Sequence, residues 1–139
     1  MDHFLLDTNI VSFLVKQPST AVHHRFRRAQ KNYLAISAVT EAELRFGLAL
    51  LPPQAKLHAA IAEFLSGGIN IEPWDSPCAA HYAQLAASQQ KQGKPLSPLD
   101  TMIAAHALAH NFTLVTNDKA FARIRNLRVE DWTKGPQRA

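Results

Sequence analysis

Four acidic residues stand where a chain of alternating strands and helices could do chemistry: Asp7, Glu43, Asp100 and Asp118. Asp7 ends the apolar run His3 to Leu6, and Glu43 follows a second run, Tyr33 to Ile36, after a short link. Asp100 opens a helix introduced by Ser97-Pro98, and Asp118 lies just beyond the run Phe112 to Val115. Each has a local explanation. Ser97-x-x-Asp100 and Thr40-x-x-Glu43 both approach capping boxes, and an acid in a first helical turn is favoured by the macrodipole. Convergence of all four has no such explanation. Two carboxylates about 4 Å apart repel by roughly 4 kcal/mol at an effective dielectric near 20, a large share of the about 5–15 kcal/mol that holds a domain together. A hard divalent cation relieves that repulsion, keeps waters in its shell and accepts phosphate oxygens, the arrangement needed to attack a phosphodiester.

The elements that must bring these acids together can be read in order. Strand one is expected over His3–Leu6, followed by a short helix from Ile10 to Val15 opened by Thr8-Asn9 and broken at Gln17-Pro18-Ser19. Ser19 is expected to cap a second helix, to about Gln30, with a basic face of Arg25, Arg27 and Arg28 that could flank a phosphate chain. Then follow strand two over Tyr33–Ile36, helices over Glu41–Leu51 and about Gln54–Leu65, and strand three over Ile69–Ile71. A long helix runs from Ser76-Pro77 to about Gln92, and the Asp100 helix follows, with Pro98 suited to its first position. The fourth strand, a short helix Lys119–Ile124 and an edge strand Arg128–Glu130 close the pattern. This alternation predicts an α/β/α three-layer sandwich around a mostly parallel sheet. In such a sheet ligands collect beyond the carboxyl ends of the strands, where all four acids are expected.

The composition is compatible with that chemistry. The chain has 139 residues, 47% of them hydrophobic, and reads as one domain over 1–132 with a basic tail over 133–139. Its formal charge of +4 and pI near 9.5 favour an anionic partner. Cys78 is the lone cysteine, which excludes an intrachain disulfide and a cysteine-rich zinc site. His106 and His110 share a helix at i,i+4, read as a solvated helix end rather than a metal site. No run reaches membrane length and the first residues lack a signal-peptide pattern, so a cytoplasmic location without membrane contact is expected.

Leu6-Asp7-Thr8-Asn9, Glu41 to Gly47, Leu99 to Ala107, and Val115-Thr116-Asn117-Asp118 with Phe121 together resemble a PIN domain of the VapC toxin family, over nearly the whole chain. Gly93-Lys94-Pro95 and Leu127 to Trp132 further resemble the enterobacterial-type subgroup. The resemblance implies an endoribonuclease dependent on Mg²⁺, with Mn²⁺ as a substitute, that hydrolyses RNA with an activated water to leave a 5′-phosphate and a 3′-hydroxyl. It implies metal ligands at Asp7, Asp100 and Asp118, with Glu43 completing the catalytic set. Thr8, Asn9 and Thr116 match positions that orient the acids. The expected partners are a VapB-type antitoxin, RNA (initiator tRNA, cut in its anticodon loop, by subgroup), and a second copy in a homodimer, with operator DNA reached only through the antitoxin. Arg25, Arg28, Lys91, Lys94 and Lys119 are the candidates for holding the RNA backbone. Ser97-Pro98 replaces the subgroup's frequent Gly-Pro, and Asp118 stands where some members carry Asn.

Two other strand-end-Asp chemistries fit less well. A haloacid-dehalogenase-like phosphatase needs an acid two residues after Asp7, where this chain has Asn9. A response-regulator receiver needs an acidic pair at strand one. The contrasting reading is a non-catalytic PIN-like scaffold or regulatory binding protein, against which the complete acidic set weighs.

Overall fold

Every strand pairing is parallel, and the chain changes direction at its centre. In the computed structural model, which describes residues 1–16 and 20–134, five strands form one sheet in the order β3-β2-β1-β4-β5. The strands are β1 His3–Leu6, β2 Tyr33–Ser37, β3 Asn70–Glu72, β4 Thr113–Val115 and β5 Val129–Glu130. The chain builds outward from β1 through β2 to β3, then returns to add β4 on the other side of β1. That reversal opens a crevice at the carboxyl ends of β1 and β4. Leu5 pairs with Leu114 and Leu6 with Val115, so Asp7 and Thr116 leave the sheet side by side.

The six helices are α1 Thr8–Lys16, α2 Ala21–Arg28, α3 Ala38–Ala49, α4 Lys56–Ser66, α5 Ser76–Gln92 and α6 Pro98–Ala109. The period-two pattern of the strands divides the core. Phe4, Leu6, Leu34, Ile36 and Val115 face α1, α2 and α4, packing with Ile10, Val11, Leu14, Val22 and Ile61. Leu5, Ala35 and Leu114 face the other way, against Val39 of α3 and Ile103, Ala104 and Ala107 of α6. The small α6 residues let that helix lie close on the sheet, and α5 covers α6. Both sheet faces are therefore buried, as a parallel sheet requires.

Several boundaries move. The helix after β1 starts at Thr8 rather than Ile10. Ser19 lies outside the described residues, and the observed cap of α2 is Thr20, whose side chain accepts from the His23 N–H. The helix after β2 begins at Ala38, capped by Ser37, so Thr40-x-x-Glu43 is not a capping box. Thr40 is fully buried within that helix. Residues Lys119–Arg123 form a 3-10 helix. Of the expected tail, Thr133 still donates its N–H to Asp131, and 135–139 lie outside the described residues.

Candidate active site

Asp7 is the fixed point of the crevice. Its backbone N–H continues the β1–β4 ladder by donating to the Val115 carbonyl at 2.9 Å. Its carbonyl accepts the first turns of α1, from Ile10 and Val11. The side chain is only 4% exposed. Oδ1 accepts from the Thr8 N–H and Oδ2 from the Thr116 hydroxyl, both at 2.8 Å. Two neutral donors hold this carboxylate, and no cation does among the described residues. Burial therefore dominates: the pKa rises from 3.8 to about 6, with the Thr116 and Thr8 hydrogen bonds opposing and Asp100 and Glu43 adding to the rise.

The Glu43 carboxylate and the Asp118 backbone are tied to Asp7 through the same two threonines. The Thr8 hydroxyl donates to Glu43 Oε1 at 2.8 Å, reaching from α1 to the second turn of α3. The Thr116 hydroxyl accepts from the Asp118 N–H at 3.1 Å. Asp118 in turn caps the 3-10 helix, with Oδ1 accepting from the Ala120 N–H. Asp100 sits in the first turn of α6, where Ser97 Oγ accepts its backbone N–H at 3.2 Å and Pro98 takes the helix start. Its carboxyl pKa is raised by burial and by Asp118. The acids perturb one another in sequence, Glu43 and Asp100 on Asp7, Asp118 on Asp100.

A sequence profile of the PIN domain matches residues 4–127. The chain belongs to the PIN-domain family. Within it, the chain is 37% identical over 131 residues to a tRNA(fMet)-specific endonuclease VapC of Shigella flexneri, covering 94% of this chain and 98% of that one. It is 34% identical to Ribonuclease VapC2 of Rickettsia felis, again over 94% and 98% of the two chains. Two solved structures share the fold closely. VapBC2 from Rickettsia felis bound to a promoter DNA fragment matches with TM-score 0.86 and 30% identity, over 93% of this chain and 98% of that one. DNA-bound VapBC from Salmonella typhimurium matches with TM-score 0.86 and 32% identity, over 95% and 99%. Both relatives carry the name of a VapC-type nuclease, and nucleases of the PIN family are metal-dependent.

The PIN domain's donor set suits a hard cation: carboxylate oxygens, hydroxyls and no sulfur or imidazole. A buried Asp7 whose pKa burial pushes up to about 6, with acidic neighbours adding to the rise, marks a site short of positive charge.

Not every expected site residue arrives. Asn9 is exposed, and among the described residues no hydrogen bond joins its side chain to Asp7; the Thr8 backbone does that work. Arg25 is committed elsewhere, paired with Glu130 at 3.2 Å and lying over the Trp132 ring. Arg28 ends α2, which leads into the start of β2, so it lies at the sheet edge opposite the acids. Lys91 and Lys94 lie where α5 turns toward α6, and Lys119 follows Asp118 directly; all three are exposed on the acidic side.

Two buried polar residues escaped sequence reading. Gln89 Oε1 accepts from the Leu96 N–H at 3.1 Å and the Thr101 hydroxyl at 3.3 Å, fixing the loop that delivers Asp100. His106 is not at a solvated helix end: it is fully buried, and its Nδ1 meets Ser37 Oγ at 2.8 Å. It thereby links α6, which carries Asp100, to the cap of α3, which carries Glu43. Burial holds its pKa below the usual value. His110 instead pairs with Asp75 at 2.8 Å. With buried Cys78 these two form the one group of three potential ligand residues within 4.8 Å among the described residues. It lies about 15 Å along α6 from Asp100 by helical rise, apart from the acidic crevice.

Proposed function

We propose that this protein is the toxin of a type II toxin–antitoxin pair, an endoribonuclease working with Mg²⁺ or Mn²⁺. The observation that carries the reading is Asp7: a buried carboxylate, oriented at both oxygens by neutral donors, its pKa raised first by burial and further by its acidic neighbours, with no lysine or arginine paired to it among the described residues. Asp7, Asp100 and Asp118 are assigned to hold the ion, and Glu43 to complete the catalytic set. When bound, such an ion supplies Lewis acidity toward water and a phosphate oxygen. The chain's own groups do the rest. Thr116 and Thr8 fix the direction of the Asp7 carboxylate, and Thr8 holds one oxygen of Glu43, leaving the other to accept a proton from the attacking water. Hydrolysis then leaves a 5′-phosphate and a 3′-hydroxyl, without a histidine or a ribose 2′-hydroxyl attack.

By likeness to the Shigella relative, whose name specifies tRNA(fMet), we assign initiator tRNA as the substrate, cut in its anticodon loop, with arrest of translation as the consequence. A VapB-type antitoxin is the assigned partner. A cavity of about 290 Å³ lined by Leu48, Leu57 and Ile61 opens beside Thr8 and Glu43, so an apolar segment seated there could extend a basic side chain into the acidic crevice. A homodimer, a cytoplasmic location, and operator contact made only by the antitoxin belong to the same reading; among the described residues no helix is long and apolar enough to cross a membrane. The test is cleavage of a total tRNA pool with Mg²⁺, with EDTA, and by Asp7→Asn, with 5′ ends of the fragments sequenced. Cleavage confined to the first condition supports the site; equal cleavage in all three removes it.

A further inference from the structure

The structure has a second feature that meets the acidic crevice, and it is basic. A groove of about 390 Å³ runs between α5 and the 3-10 helix Lys119–Arg123. Its polar wall carries Ser88 and Gln92 from α5, Lys94 from the α5–α6 loop, and Arg123 and Arg125 from beyond β4, with Leu96 in its floor. No carboxylate lines it. Arg123 and Arg125 are exposed, and among the described residues neither has an ion-pair partner. Unlike Arg25, they remain available.

The groove's lining reaches the segments that carry Asp118 and Asp100. Ala120, in its lining, donates its N–H to Asp118. Leu96 is anchored by Gln89 in the loop that ends at the Ser97 cap of the Asp100 helix. A polyanion whose reacting phosphate lies among the acids must pass its neighbouring phosphates over the adjoining surface, and this groove offers two arginines and a lysine there with no carboxylate among its lining residues. Arginines, lysine, serine and glutamine are the side chains that contact phosphate and sugar. An acidic peptide matches the charge of the groove alone, but its carboxylates would continue into a carboxylate-lined crevice.

Resting on the ribonuclease reading above, we propose that this groove holds the RNA strand that flanks the cleaved phosphodiester, with Arg123 and Arg125 as phosphate-positioning residues. Each arginine contributes one phosphate contact, so binding is sensitive to salt in proportion to how many remain.

The test measures binding of an end-labelled RNA by fluorescence anisotropy in EDTA across a salt series, and separately kcat and KM with Mg²⁺. The proteins are wild type, the Arg123→Ala/Arg125→Ala double variant, Lys94→Ala, and Lys31→Ala as a control cation on the far edge of the sheet. The expected result is a double variant with an unchanged melting temperature, at least about ten-fold weaker RNA binding, and a log–log salt slope shallower by about 1.4. Its KM rises while kcat holds; Lys94→Ala moves the same way by less, and Lys31→Ala does not move. A double variant that binds and cleaves like wild type overturns the groove assignment and leaves the ribonuclease reading intact. Wild type that cleaves no RNA overturns the ribonuclease reading itself. A polyglutamate competitor that displaces RNA at equal charge concentration would reassign the groove to an acidic protein partner.

Discussion

The Thr116 hydroxyl donates to Asp7 Oδ2 at 2.8 Å and accepts the Asp118 N–H at 3.1 Å. One hydroxyl thus joins the end of β1 to the turn after β4, across 109 positions of sequence. Removing it frees the Asp7 carboxylate to rotate and strips away a hydrogen bond that opposes the rise of its pKa. Thr116→Val is expected to lower kcat about 10–100-fold, the range for groups that orient metal ligands, and to move the acid limb of the pH–rate profile upward. Thr116→Ser keeps the hydroxyl and should restore both. A Thr116→Val enzyme with a wild-type profile would show that the hydroxyl plays no part in orienting Asp7.

The pKa of Asp7 has a consequence for stability whose sign is unusual for an acid. The folded value, about 6, lies above the unfolded 3.8. Between those values the folded state binds more protons than the unfolded one, so stability falls as pH rises through the window. Above pH 6 the buried charge costs the metal-free protein up to about 3 kcal/mol, the linkage equivalent of the shift. Asp7→Asn should therefore melt at a higher temperature than wild type in EDTA at pH 8, with the difference gone at pH 4. Adding Mg²⁺ at pH 8 should raise the wild-type melting temperature and leave that of Asp7→Asn nearly unmoved. Calorimetry across pH decides it, and a variant less stable than wild type at pH 8 would contradict the account.

Asp100 is open to two readings, a helix-start acid or a functional acid, and a pair of substitutions tells them apart. Ser97 Oγ accepts the Asp100 backbone N–H, so the cap is a service rendered to Asp100 and not by it. Asp100→Asn should keep α6 intact, with helical circular dichroism and melting temperature at least equal to wild type. Its carboxyl, raised by burial and by Asp118, is the part that matters, and cleavage should fall by at least about 100-fold. Ser97→Ala should do the reverse: a loss of about 1 kcal/mol in stability with a much smaller change in cleavage per folded molecule.

Asp7, Asp100 and Asp118 were legible because each sits at a place that local signals mark: a strand end, a first helical turn, a strand-to-turn step; Glu43, in the second turn of α3, was marked only by a capping-box spacing that α3 does not use. Parallel pairing and the three layers followed from the alternation of apolar strands with amphipathic helices. What was not legible depends on contacts between elements. Nothing in the neighbourhood of Gln89 marks it as the acceptor for the loop before Asp100. His106 looked like the partner of His110, one turn away, but the helix turns His106 onto the sheet against Ser37 and leaves His110 outside with Asp75. The Thr40-x-x-Glu43 spacing mimicked a cap because Ser37, the true one, also ends a strand. Asn9 was named only through the family resemblance; in the fold it is exposed, and of the expected pair the Thr8 backbone is the one that holds Asp7. The basic residues were the least legible, since charge on a helix face does not say whether a partner waits across the sheet edge.

Arg25 makes that last difference measurable. Its guanidinium meets Glu130 at 3.2 Å and lies 5.9 Å from the Trp132 ring centre, and Trp132 itself donates to Glu130 at 2.9 Å. These contacts pin the C-terminal segment after β5 onto α2. Because the ion pair is partly open to solvent, with Glu130 40% exposed, its worth together with the ring contact is about 0.5–1 kcal/mol. Arg25→Ala should lower stability by that amount in urea denaturation, with kcat/KM for RNA within about two-fold of wild type and an unchanged salt slope, since no phosphate contact is lost. Glu130→Gln should cost a similar amount, and the double variant less than the sum of the two. Loss of RNA binding by Arg25→Ala at unchanged stability would return this arginine to the RNA-contacting set and break its assignment to the fold.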